Sequence, residues 1–137
     1  MKKIVKDDKK WYLYNLEGKI LGRASSEIAK IIQGKDQPEF SRNEDRGNYV
    51  VVINAEKFKL SGSKMEQKRY YNHSGYIGNL KTVTVRELLE KDPRKILLHS
   101  VSGMLPKNKI KDKFLSRLKI YSGSEHPHLN IKFYKEY

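Results

Sequence analysis

The sequence predicts a single α/β domain. An aromatic strand, "WYLYN" (Trp11 to Asn15), precedes an amphipathic helix, and "NYVVVIN" (Asn48 to Asn54) follows it. In the latter, Val50 to Ile53 are four consecutive apolar residues, mostly β-branched and without alternation. That pattern marks a strand covered on both faces, as in a parallel sheet lying among helices. No internal repeat or linker interrupts the 137 residues. Such a length fits one domain able to bury roughly two-thirds of its unfolded surface.

Each element has a local reason. Residues 1–10 hold five lysines, two aspartates and few apolar anchors, and read as a flexible basic arm. The domain is expected over 11–128, with 129–137 as a tail. "LEGK" turns the chain after the first strand. In "GRASSEIAKIIQG", Ala24, Ile28, Ile31 and Ile32 recur at helical spacing, and Gly34 stands where a left-handed cap ends the helix. A polar connection, Lys35 to Gly47, leads into the apolar strand, and the βαβ crossover should be right-handed.

Further on, Thr84 with Glu87 forms a capping box before a short helix. Asp92 then caps a second helix with Pro93 at its first position, predicting Ile96, Leu97, Val101 and Met104 on one inward face. "NKIKDKFLSRL" predicts another short helix with Ile110, Phe114 and Leu118 inward. "KIYSG" reads as a last strand and "SEHPHLNIKFYKEY" as an irregular tail.

Composition narrows the function. Apolar residues are 37% and charged residues 33%, against a typical charged share of ~25%. Twenty-nine cations face sixteen anions, a net charge of +13. Self-repulsion of that size calls for a polyanion to offset it, and a strongly basic domain is the footprint of nucleic-acid binding. The excess lies in the second half: residues 1–60 carry 13 cations and 9 anions, residues 61–137 carry 16 and 7. Between 104 and 119, Lys107, Lys109, Lys111, Lys113, Arg117 and Lys119 face only Asp112. The lysines there should point outward to phosphates while the apolar residues anchor the segment.

Cysteine is absent, which removes disulfides, thiolate metal sites and cysteine nucleophiles together. No apolar run approaches the ~20 residues of a membrane span. "MKKIVKDDKKWYLY" lacks the apolar core of a secretory signal, so a cytosolic protein is expected. There is no Walker A loop and no G-x-G-x-x-G after a strand. His126 and His128 offer a metal only two ligands where zinc needs three or four. Ser74 beside His73 lacks the surroundings of a hydrolase nucleophile. "SGSK" (Ser61 to Lys64) is better read as a turn touching one phosphate.

"KRYYNHSGYIG", Lys68 to Gly78, is too polar for a core strand and too aromatic for an ordinary loop. Irregular RNA is held by cations along its phosphates and by planar side chains stacked on unpaired bases. Lys68, Arg69, Tyr70, Tyr71, His73 and Tyr76 supply both components, and Gly75 and Gly78 permit turns and close backbone approach. Adjacent strand residues point to opposite faces, so one of Tyr70 and Tyr71 can be core while the other faces a ligand.

Several blocks now stand in a familiar order: "WYLYNLEGKILGRASSEIAKIIQGK", "NYVVVINAEKFKLSGSK", "YYNHSGYIG", "GMLPKN" and "RLKIYSGSEHPH". From about Trp11 to His128 the chain resembles the L-thirteen family of large-subunit ribosomal proteins, bacterial or organellar type. The resemblance implies a three-layer α/β/α fold around a four-stranded, mostly parallel sheet. It also implies a structural role in the large ribosomal subunit, in the cytoplasm or in an organelle's own ribosome. That role is binding of large-subunit rRNA and assistance in early subunit assembly, with ribosomal protein L-three as a neighbour. Positions matching the family's RNA-facing blocks are Arg23, Lys35, Lys64, Lys68, Tyr71, His73, Ser74, Lys107, His126 and His128. The charge pattern adds Arg69, Lys109, Lys113, Arg117 and Lys119. No catalysis, cofactor, metal, small-molecule substrate, membrane contact or homo-oligomer is expected. A messenger-RNA-binding translational regulator acting off the ribosome is the alternative. The chain departs from the family's usual pattern at "SRNEDRGN" (41–48), at Asn79, at "KNKIKDKF" (107–114) and at "HLNIKF" (128–133).

Overall fold

The computed structural model describes residues 9–137, so most of the arm expected at 1–10 lies outside the described residues. The first strand, β1 (Trp11–Asn15), leads into helix α1 (Leu21–Gln33) and strand β2 (Tyr49–Ile53). A short helix α2 (Lys64–Gln67) precedes the hairpin strands β3 (Arg69–His73) and β4 (Leu80–Thr84). Three helices follow: α3 (Val85–Lys91), α4 (Pro93–Met104) and α5 (Lys111–Ser116). The chain closes with β5 (Leu118–Ile120) and β6 (Lys135–Glu136).

The main sheet has four strands in the order β5-β2-β1-β6, every pairing parallel. This is the parallel α/β arrangement the sequence predicts. Val50, Val51 and Val52 are fully buried, as a strand covered on both faces requires. Val50 and Val52 join the main apolar cluster with Ile28, Ile32, Ile96, Leu97 and Val101. β1 instead alternates, burying Tyr12 and Tyr14. Their hydroxyls donate to the carboxylates of Asp36 at 3.0 Å and Glu27 at 2.6 Å. Burial first, and these anions second, raise both phenol pKa values, so both rings stay neutral donors.

The caps read from sequence are present. Thr84 Oγ1 accepts from Glu87 N at 3.3 Å, and Asp92 Oδ1 from Arg94 N at 3.2 Å. Gly34 closes α1 with φ +77°, its N–H directed at Ile31 O. Two glycines bring the 34–47 connection against the domain. A Cβ on Gly34 would press on the Arg46 carbonyl, and one on Gly47 would collide with the Ile32 carbonyl and the Arg117 guanidinium. Backbone approach that close requires glycine.

Four expectations are corrected. The tail is not wholly irregular: Tyr134 N donates to Trp11 O at 2.7 Å and Tyr137 N to Leu13 O at 2.9 Å, which seats β6 beside β1. Tyr137 stacks on Tyr14, with centroids 5.6 Å apart, and Tyr134 meets Tyr12 edge-on. Aromatic contact, invisible as periodicity, holds that strand. Met104 ends α4 at 42% exposure instead of being buried: it lies at the helix end against Ser26 of α1, and Leu105 after it fills the core. Leu118 is buried as expected but belongs to β5, not to the helix before it.

The fourth correction concerns charge. Arg117, expected among the outward cations, is 3% exposed. Its guanidinium pairs with Asp45 and lies over the Phe114 ring, while Nε donates to Lys113 O at 3.3 Å. The helix ends at Ser116 and Arg117 turns inward toward the carboxylate on the 34–47 connection. A charge pattern cannot distinguish a buried, paired guanidinium from a solvated one.

Candidate nucleic-acid interface

β3 and β4 form their own two-stranded antiparallel sheet, with Tyr70 opposite Val83 and Tyr71 opposite Thr82. The two-residue period of a strand decides which ring is inward. Tyr70 packs against the core, with the His99 ring edge-on at 5.0 Å, and burial raises its phenol pKa. Tyr71 takes the opposite face and is 67% exposed. Arg69 and His73 alternate onto that same face and are also exposed. Cation, ring, imidazole thus stand in line along one open strand surface.

The tip of the hairpin continues this surface. His73 Nδ1 accepts from Gly75 N at 2.9 Å, folding the turn back on the strand. Gly75 and Gly78 adopt φ +90° and +78°, values that L side chains rarely take. Between them Tyr76 and Ile77 stand almost free of the protein, and Leu80 follows exposed. Sequence reasoning missed Ile77 and Leu80. Their signal was apolar residues inside or beside a glycine-flanked turn, where no core can reach them. Lys68 lies at the hairpin base with Nζ 5.4 Å from the Tyr70 centroid. Lys64 begins α2 and is exposed, its Nζ 3.4 Å from Ser61 Oγ. Ser74 is exposed in the turn.

A second basic group lies on the segment between α4 and β5. Lys107, Lys109 and Lys113 are exposed, while Ile110 and Phe114 turn toward the core and hold the segment down. Asn108 Oδ1 accepts from Ile110 N at 3.2 Å and fixes the turn before α5. Lys35 and Arg42 line the same groove as Pro106, Asn108 and Phe114. Arg42 was not among the residues singled out from sequence, because its loop departs from the expected pattern. Arg23 is exposed on α1.

His126 and His128 form a third group. Tyr121 Oη and His128 Nε2 are 2.8 Å apart, and the Trp11 ring lies 5.4 Å from His128. Trp11 itself stacks on Tyr49 at 4.3 Å. His126 is half-buried against Phe133, and its Nδ1 is sealed from solvent without a partner. Burial chiefly, then the charges of His126 and Lys119, lower the His128 pKa. A neutral imidazole can offer a ring face or an acceptor nitrogen, not a fixed cation.

So the structure gathers Lys68, Arg69, Tyr71, His73 and Ser74 on one hairpin, and Lys107, Lys109 and Lys113 on one segment. It removes Arg117 from any surface. The arrangement suits a polyanion with unpaired bases: separated cations, exposed rings and, among the described residues, no convergent acid–base pair.

Comparison with known proteins decides the family. The family model for Ribosomal protein L13 matches residues 9–127. The chain belongs to this family. Among similar proteins, the large ribosomal subunit protein uL13 of Clostridioides difficile is 48% identical over 120 residues, 88% of this chain and 84% of its own. That of Lawsonia intracellularis is 50% identical over 119 residues, covering 87% and 83%. That of Thermotoga maritima is 49% identical over 121 residues, covering 88% and 81%. The resemblance read from "GMLPKN" and "YYNHSGY" is therefore correct, and as a member of the L13 family the chain is a structural protein, not an enzyme. Among the described residues no helix is long and apolar enough to cross a membrane.

Proposed function

We propose that this chain is a structural constituent of the large ribosomal subunit that binds large-subunit rRNA and assists early subunit assembly. Membership of the L13 family supports the subunit. The β3–β4 hairpin supports the RNA, because it exposes Tyr71, Tyr76 and Ile77 together with Lys68 and Arg69 instead of burying them. Lys107, Lys109 and Lys113 would add sequence-independent phosphate neutralisation. Tyr71 and Tyr76 would add stacking on unpaired bases. Lys35, Lys64, His73, Ser74, Lys119, His126 and His128 are assigned to the same interface, and Arg117 is not. Neighbouring subunit proteins, ribosomal protein L-three among them, complete the expected partners on the strength of the family resemblance, and the ribosome is the expected location.

The mechanism is neutralisation that lets RNA segments approach one another, with rings fixing the local register. Filter binding of the full chain to a large-subunit rRNA transcript across a salt series tests it. Lys107→Ala with Lys109→Ala should weaken binding and lower the slope of log K against log salt by about 0.7–0.9 for each phosphate no longer neutralised. An unchanged slope removes this segment from the interface.

A further inference from the structure

A groove of about 320 Å³ lies between the 34–47 connection and the turn joining α4 to α5. Phe40 and Phe114 line it, with Ser41 on the loop side. Gln33, the last residue of α1, also lines it and is 6% exposed. Among the described residues the Gln33 amide makes no side-chain hydrogen bond, yet it is not one of the polar atoms sealed inside the protein. The residue is buried but its amide reaches the groove, where water or a ligand completes its hydrogen bonds. Gln33 offers one acceptor and two donors to whatever enters the groove.

The rim is cationic. Lys35 and Arg42 stand on it with Glu44, and the Glu44 carboxylate is held by Arg46 at 2.6 Å. One wall continues into Lys107, Lys109, Lys111 and Lys113 with Asp112 the single anion. A groove with Phe40 and Phe114 in its lining, an amide that reaches it, and two rim cations paired with no carboxylate among the described residues fits a planar polar ring attached to phosphates on either side. A basic protein loop would meet like charge at the rim.

We infer that this groove receives one unstacked nucleobase of the large-subunit rRNA. The base would lie against Phe40, its hydrogen-bonding edge on the Gln33 amide, with Lys35 and Arg42 on the flanking phosphates. An unpaired nucleotide enters such a pocket at the least unstacking cost. The assignment rests on the rRNA-binding reading above and deepens it, since it converts part of a charge-driven contact into one that positions a particular nucleotide.

The test uses the full chain and a transcript of large-subunit rRNA, read by affinity at several salt concentrations and by base-specific chemical modification. Ser41→Trp fills the groove from its loop side and makes no change to charge. Gln33→Leu keeps the volume and removes the amide. Each should weaken binding about tenfold, leave the salt slope as it was, and restore reactivity at the same single nucleotide that the unaltered chain protects. Thermal unfolding reports whether each variant is folded, and either folded variant suffices. A folded variant with unaltered affinity and an unaltered protection pattern overturns the groove assignment. So does a photoreactive residue at position 41 that crosslinks, in intact large subunits, to a protein and not to RNA. If the unaltered chain fails to hold the transcript, the broader rRNA reading falls as well, which is a separate result.

Discussion

Arg117 and Asp45 form a buried ion pair across 72 residues of sequence, and the pair fastens the 34–47 connection to the end of α5. The Arg117 side chain is 4% exposed and that of Asp45 25%. Its remaining nitrogen, Nη1, is enclosed with no hydrogen-bond partner among the described residues. So the guanidinium depends on this carboxylate, on the Lys113 carbonyl and on the Phe114 ring beneath it.

Removing one partner of a buried pair leaves the other charge uncompensated. Asp45→Ala strands the enclosed guanidinium and should destabilise the fold by about 3 kcal/mol, whereas Arg117→Ala should cost less, because Asp45 keeps solvent and Lys9 at 3.9 Å. Urea unfolding measures this. The Arg117→Ala variant, held below its melting temperature, should keep the wild-type salt slope for rRNA. A reduced slope would return Arg117 to the interface.

Tyr70 and Tyr71 separate stability from binding. Tyr70→Ala should cost about 2 kcal/mol of stability, since a half-buried ring loses its packing against His99 and the core. Tyr71→Ala should leave stability within about 0.5 kcal/mol. It should weaken rRNA binding by about 1–3 kcal/mol, the worth of one stacked base, with little change in salt slope. Identical thermal shifts in the two variants would contradict the assigned faces.

The last four residues close the sheet. Deleting 134–137 removes β6 and the rings of Tyr134 and Tyr137, uncovering Tyr12 and Tyr14. The missing aromatic burial should lower stability by about 2 kcal/mol or more. An uncovered β1 edge should also make the chain associate as its concentration rises. The urea midpoint reads the first effect and light scattering the second; an unchanged midpoint would show β6 to be dispensable.

His128 gives a pH dependence with a definite sign. Its folded pKa lies below the ordinary 6.5, so the unfolded chain binds a proton more readily. The stabilising contribution of the neutral ring is complete above about 6.5 and is lost as pH falls through the lower folded pKa. Tyr121 at 2.8 Å and Lys119 and His126 nearby all surround that ring. His128→Gln should flatten the stability profile as pH falls below about 6.5. A mutant profile parallel to the wild type would place the titration elsewhere.

Most of the scaffold was written in local sequence. Val50 to Ile53 marked the doubly covered strand, Gly34 ended α1, and Thr84 and Asp92 capped their helices, because each signal acts within a few residues. The net charge of +13 and the blocks "YYNHSGY" and "GMLPKN" likewise carried the family and the RNA-binding reading without coordinates. Other features depended on partners distant along the chain. β6 has no apolar pattern and exists because Tyr134 and Tyr137 meet rings on β1. Arg117 became core because Asp45 waits on a loop folded back by Gly34 and Gly47. The groove at Gln33 appears only when two separate segments are brought face to face. Propensity and capping are local energies, whereas burial and pairing are settled by which surfaces the folded chain presses together.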